Sequence, residues 1–371
     1  MRRIYTNLLP IALFLLVVPT ALASTTWYVD GVNGSDSNSC TSPTSACKTI
    51  GHAISLAASG DSIIVAAATY AENLTISSSL TVIGSGASTT IIDGQAAGSV
   101  VTIPNSSAQV TLSNITIRNG ALTIYGGGID NWGTLTINSS TVSGNLALPS
   151  LRNQPSYGGG IYNSGRVTIN DSTISGNRAL CHNYCSGEGG GIFNNGSLTI
   201  NDSTLNGNLA GGNFSVARGG GIYNNGRLTI NNSTISGNGT TYLGQGGGIW
   251  NNSGSSAVLQ NSIVANSVRA GNCYGGVTSH GYNLNSDGTC NFNNAGDLNN
   301  TDPKLGPLQN NGGPTATMAL LSGSPAIDAG NPSGCTDGQG QLLKTDQRGQ
   351  PRPDKEDTGG CDMGAFEGQS D

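Results

Sequence analysis

The tetrapeptide Gly-Gly-Gly-Ile recurs at Gly126, Gly158, Gly189, Gly219 and Gly246, and opens a shared pattern that is best preserved from Gly219 and looser in the first and last copies. An Ile-aromatic-Asn step comes first, then a Leu/Val-Thr-Ile step, then a Ser-Thr-Ile/Val/Leu step ending in Gly-Asn. The period is about 30 residues, which marks a solenoid. Leu228-Thr229-Ile230 alternates apolar, polar, apolar, as a half-buried strand does. Three such strands per repeat cannot bury their inner faces alone. Stacking successive coils at the ~4.8 Å strand spacing buries them together. Equivalent strands then pair in parallel, and the right-handed crossover is the favoured hand. A leucine-rich repeat would need a helical segment, and a calcium-binding nonapeptide roll would need Asp in every turn; neither is present. The expected fold is all-β, a right-handed parallel β-helix.

Stacking also assigns a role to the asparagines. Asn131, Asn163, Asn194, Asn224 and Asn251 share one position of the repeat. Amides held in register hydrogen-bond along the column, so these residues are read as structural. Upstream the pattern persists in degenerate form, with short strands at 62–65, 74–76, 80–83, 90–93, 100–103 and 110–117. Ahead of them, Cys47–Ser59 has Ile50, Ala53, Ile54 and Ala57 at helical spacing, with Gly60 as terminator. A helix there would cap the open end of the coil. The repeat fades after about Ala270, and the tail from Asp297 holds 11 of the 21 carboxylates. The expected organisation is a signal peptide over 1–23, an N-terminal strand and capping helix over 24–60, β-helix repeats over 61–296 and a loop-rich C-terminal cap over 297–371.

The first residues read as an export signal. Arg2 and Arg3 precede an apolar run from Ile11 to Val18, and Ala21-Leu22-Ala23 offers a small-x-small cleavage site before Ser24. The run is too short to span a membrane, so no transmembrane segment is expected in the mature chain. Localisation is expected to be extracellular or at the cell surface. Without Arg2 and Arg3 the chain carries 13 basic and 21 acidic residues, a net charge of −8, which argues against nucleic-acid partners. Eight cysteines fall into the close couples Cys40/Cys47, Cys181/Cys185, Cys273/Cys290 and Cys335/Cys361, which fits local disulfides in an exported protein. His52, His182 and His280 are dispersed, and no metal site is expected.

The connections at 146–157, 178–188, 209–218 and 239–245 vary most and should emerge at one corner, the usual binding face of a solenoid. Tyr162, Phe193, Tyr223 and Trp250 follow the inward isoleucines, so alternation sends them outward as a column of rings. Flat exposed rings can stack on sugar faces, and these four are the candidate carbohydrate-binding residues. Their partner would be an extracellular polysaccharide or a cell surface. Catalytic residues are harder to assign. Asp61–Ala270 contains only seven carboxylates, and the best couple, Asp171 and Asp202, occupies equivalent positions of adjacent repeats. Both sit in Asn-Asp-Ser turns whose side chains bond nearby backbone. A lyase would place calcium on such carboxylates, and a glycosidase would need two of them facing one another. The reading favours a binding or adhesion protein without cofactor over an enzyme.

The Ile-Ser-Gly-Asn then Gly-Gly-Gly-Ile order resembles the repeats of the pectate-lyase-like superfamily and of chlamydial polymorphic outer membrane proteins. That resemblance covers about residues 60 to 270 and implies the β-helix; the second group implies surface adhesion. The tail is similar to the choice-of-anchor Q region of bacterial surface β-helix proteins. It carries Asp302-Pro303-Lys304-Leu305-Gly306-Pro307-Leu308, Asn311-Gly312-Gly313-Pro314, Gly323-Ser324-Pro325-Ala326-Ile327-Asp328-Ala329-Gly330, Thr345-Asp346-Gln347-Arg348-Gly349 and Asp362-Met363-Gly364-Ala365-Phe366-Glu367. The superfamily resemblance makes polysaccharide cleavage the alternative activity.

Overall fold

The computed structural model describes residues 24–212, 215–241, 243–337, 340–354 and 360–368; the expected signal peptide lies outside them. Three parallel sheets run the length of the molecule, with ten, eight and ten strands. Each repeat gives one strand to each sheet, as its three β-type steps predict. The Leu/Val-Thr-Ile steps form the first sheet, the Ile-aromatic-Asn steps the second and the Ser-Thr-Ile steps the third. The protein is a parallel β-helix.

Register is strict. Ile129, Ile161, Ile192, Ile222 and Ile249 align across the second sheet and have no exposed surface. Leu135, Val167, Leu198 and Leu228 do the same in the first sheet. Together with Val142, Ile174, Leu205 and Ile235 of the third they fill one continuous core. Burying an aliphatic side chain of this size contributes roughly 1.5–3 kcal/mol, so each coil is held by its inner triad. The first glycine of each Gly-Gly-Gly-Ile turn has positive φ, for example +63° at Gly219, where an added Cβ would lie 2.4 Å from the carbonyl oxygen of Ile222. No other residue type tolerates both conditions.

Polar groups inside the coil are satisfied by the neighbouring rung. Asn131 donates through Nδ2 to Oδ1 of Asn163 at 2.9 Å, Asn163 to Asn194 at 2.8 Å, Asn194 to Asn224 at 2.7 Å and Asn224 to Asn251 at 2.7 Å. A second buried ladder runs Asn145, Asn177, Asn208, Asn238, built from the Gly-Asn steps. The asparagines are structural, as their shared position in the repeat implies, and the Gly-Asn steps supply a second such column.

The strand expected over 110–117 is two strands, Gln109–Ser113 and Thr116–Arg118, because Asn114 turns the chain at φ +58°. Parallel pairing also outlasts the visible repeat. Cys273–Tyr274, Thr278–Ser279 and Leu284–Asn285 complete a further coil, and Leu298–Asn299 adds a strand beyond it. The N-terminal helix spans Ile50–Leu56, shorter than the apolar spacing suggested. Ile50 and Ala53 are its buried face, packed into the first coil. Its N-terminus is closed by Glu72, whose carboxylate accepts the N–H groups of Ile50 and Gly51 at 2.9 and 2.8 Å. Such a carboxylate also complements the helix dipole. The four disulfides join the expected couples.

The tail is rich in loops, as expected, and its placement goes beyond an end cap. The last coil is closed by Phe292 and the Cys273–Cys290 bridge, all buried in the main core. The described residues between 302 and 368 instead run back along the outer face of the third sheet. The outward threonines of that sheet grip them. Thr173 Oγ1 donates to the Ala316 carbonyl at 2.6 Å, Thr204 Oγ1 to Gln347 Oε1 at 2.6 Å, and the Ala365 N–H donates to Thr234 Oγ1 at 3.1 Å. Met363 and Ala326 pack on Ile263, Ala265 and Leu284.

Charge is concentrated at this contact. Arg352 is buried and pairs with Asp202 at 2.8 Å and Glu367 at 2.7 Å. Two carboxylates share one guanidinium, which leaves excess negative charge in a poorly solvated place. Burial pushes the Glu367 carboxyl up to about 8, against the pull of Arg352, and that of Asp171 up to about 6. Both values lie above those of an unfolded chain. Their stabilisation is complete below the unfolded values and is lost as pH rises through about 6 and then about 8. The urea midpoint should therefore fall between pH 5.5 and 8.5, and Glu367→Gln should flatten the fall. A midpoint that rises across this window would contradict the assignment.

Candidate functional site

In the second sheet the residue after each inward isoleucine must point outward. Tyr162, Phe193, Tyr223 and Trp250 occupy that position in register, with Asp130 on the rung before them and Tyr274 on the rung after. Strand spacing then stacks the rings. Tyr162 and Phe193 have centroids 5.4 Å apart, Phe193 and Tyr223 4.9 Å, Tyr223 and Trp250 6.2 Å, and Trp250 and Tyr274 4.0 Å, all near parallel. The four candidate rings form a cluster of their own, outside the core of the coil.

The sequence reading expected flat, exposed rings. Tyr162, Phe193, Tyr223 and Trp250 are instead only 7–9% exposed. Two contacts explain this. Each inner ring spends both faces on its neighbours, and a second column folds over the first. That second column is Tyr125, Tyr157, Glu188, Arg218 and Gln245, in parallel register just before each glycine triplet. Three of its members lean on the ring of the following coil. Tyr125 meets Tyr162 at 4.7 Å, Tyr157 meets Phe193 at 4.9 Å, and the Arg218 guanidinium lies 5.2 Å from the centre of the Trp250 ring. Arg218 is fixed there by Glu188 at 2.7 Å. Burial, followed by the Glu188 charge, pushes the phenols of Tyr157 and Tyr223 up.

What remains accessible is a groove along the two columns. One section, of about 340 Å³, is lined by Tyr125, Tyr157, Glu188, Asn195, Asn225 and Asn252 among others. A second, of about 540 Å³, lies between Trp250, Tyr274 and the turn 251–255. The floor beside the rings is an exposed amide ladder, in which Asn252 Nδ2 donates to Asn225 Oδ1 at 2.7 Å and Asn225 Nδ2 to Asn195 Oδ1 at 2.8 Å. Exposed aromatics mark both ends: Tyr125 at 38% and Trp132 at 43%, and Tyr274 at 44%. The residues missed from sequence were partly legible, because Tyr125 and Tyr157 stand directly before Gly126 and Gly158. Trp132 and Tyr274 fall outside that pattern.

The Asp171–Asp202 couple belongs elsewhere. Both residues have positive φ, +50° and +41°, as do Ser139, Asn232 and Asn261 at the same turn. Asp202 is covered by the tail and held by Arg352. The cluster of potential metal-ligating atoms found among the described residues is Cys40, Cys47 and His52, and there the two sulfurs are bonded to each other. That leaves one imidazole, too few ligands for a metal.

The burial of Tyr223 makes it a packing residue as well as a groove wall. Tyr223→Ala should cost about 3 kcal/mol of stability, as for other large-to-small aromatic changes. Trp132→Ala, at an exposed position, should cost well under 1 kcal/mol. Urea denaturation of both variants checks the difference.

No protein-family model matches this chain, and a search of curated proteins likewise gave no match. Similar solved structures include pectin methylesterase from carrot, 14% identical over 76% of this chain and 84% of that one, with a TM-score of 0.45. Pectin methylesterase PemA from Erwinia chrysanthemi is 16% identical over 82% of this chain and 87% of that one, with a TM-score of 0.40. The GH136 lacto-N-biosidase from Eubacterium ramulus is 11% identical over 70% and 60%, with a TM-score of 0.31.

Proposed function

We propose that this is an exported or cell-surface β-helix protein that binds an extended polysaccharide in the aromatic groove, and so mediates adhesion. The observation that carries the reading is the groove itself. Rings stacked on rigid strands are flanked by a ladder of exposed amides, and solvent-facing rings stand at its two ends. Amides serve sugar hydroxyls as donors and acceptors, while free ring faces serve the apolar faces of sugars. The burial of the inner rings changes their part in this. They hold the groove straight, and Trp132, Tyr125 and Tyr274 supply the open faces. A preformed groove loses little conformational freedom on binding. Each contact is weak, and a polymer that spans both ends gains through effective concentration.

The expected cleavage before Ser24 supports export, and the protein is then released or held at the surface by non-covalent contacts. The alternative, a polysaccharide lyase using calcium on Asp171 and Asp202, is less well supported because Arg352 already engages Asp202. No catalytic residue is assigned.

A glycan array followed by calorimetry tests the reading. Trp132→Ala with Tyr274→Ala should weaken binding of a long glycan by tenfold or more, on the order of 1 kcal/mol per lost stack. Binding of a disaccharide should change far less, and the melting temperature should stay within a few degrees. Unchanged affinity for the long glycan in a folded double variant would refute the groove.

A further inference from the structure

The aromatic column ends at a carboxylate. Asp130 holds the ring position of the second sheet one coil before Tyr162. Its backbone neighbour on the other side is Thr102, so no ring stacks beneath it. Three aromatics surround this end. The Trp132 indole N–H donates to Asp130 Oδ1 at 2.9 Å. Trp132 and Tyr125 both tilt against Tyr162, at 5.8 and 4.7 Å. Trp132 and Tyr125 are the exposed walls, and Asp130 itself is partly exposed.

The carboxylate lacks a cation. Among the described residues, none of the ion pairs Arg118–Asp93, Arg218–Glu188, Arg348–Asp346, Arg352–Asp202 and Arg352–Glu367 includes it. Its Oδ2 accepts no hydrogen bond from a described residue, whereas Glu188, the carboxylate that lines the groove, is neutralised by Arg218. Burial pushes the Asp130 carboxyl up to about 6, so it is ionised at neutral pH and poorly solvated. Ring faces and an unneutralised carboxylate together favour an ammonium group, through ion pairing and cation–π attraction. The net charge of −8 expected after export favours the approach of a cationic polymer.

We propose that Asp130, Trp132 and Tyr125 form a subsite for a protonated amino sugar, which makes an amine-bearing polysaccharide the preferred ligand of the groove. This rests on the polysaccharide-binding reading and adds the substrate class. An ammonium in the subsite donates to Asp130 Oδ2 and lies against the Trp132 and Tyr125 rings. No covalent step is involved.

Calorimetry at pH 7 with a glucosamine hexasaccharide and its fully N-acetylated counterpart tests the subsite. The wild-type protein should prefer the free amine by on the order of tenfold. Asp130→Asn should abolish that preference and retain binding of the acetylated oligomer. Asp302→Asn, at an exposed position in the tail, makes the same change in net charge and should keep the preference. A preference that survives Asp130→Asn, or disappears equally in Asp302→Asn, overturns the subsite and assigns the effect to overall charge. Equal binding of both oligomers by the wild type overturns the subsite and leaves polysaccharide binding intact. Failure to bind either oligomer, or any polymer on the array, overturns both readings.

Discussion

Everything in this molecule depends on parallel strands holding equivalent residues one strand spacing apart. In a coil of this kind the only neighbour a buried group can count on is its counterpart in the next rung. An apolar residue therefore recurs as a column, and a buried amide must donate to the amide beyond it. The Asn131–Asn251 ladder meets that demand without water, since each Nδ2 finds the next Oδ1 within 2.9 Å. A single out-of-register rung would leave polar groups unpaired on both sides of it, which is why the repeat tolerates Leu for Val but keeps Asn.

The same constraint governs the outside of the coil. Rings placed at one position of the repeat stack on each other because strand spacing brings parallel rings close to their stacking distance. The stacking that makes the column rigid also consumes the ring faces. Binding surface is then left only where the series is interrupted or ends, at Trp132 and Asp130 on one side and Tyr274 on the other. A periodic structure displays its chemistry at the breaks in its period.

The two ends of the chain use carboxylates in opposite ways. Near the N-terminus Asp61 accepts from Thr25 N–H, Trp27 Nε1 and Ala58 N–H. Burial opposes ionisation there, but these three bonds outweigh it and hold the carboxyl below its ordinary range. That contribution is present above the unfolded value and is lost in acid. Along the flank of the third sheet, Asp202 and Glu367 compete for Arg352, and burial dominates. One end of the molecule thus loses stability in acid and the docked tail loses it in base.

Periodicity alone determined the coil: which residues face inward, which asparagines are buried, that three sheets form and that the variable connections share a corner. Close sequence spacing likewise sufficed for the disulfides. These features are local or repeat at a fixed interval, so a single chain contains all the information about them. The course of the tail was not legible, because Gln347 and Arg352 reach Thr204 and Asp202 across more than 140 residues without any repeat to relate them. Nor was the burial of the rings. Outward direction follows from alternation within one strand, whereas exposure depends on what the preceding turn lays over it. Tyr125, Tyr157 and Arg218 cover rings one coil further on, and only the stacking of coils brings those groups together.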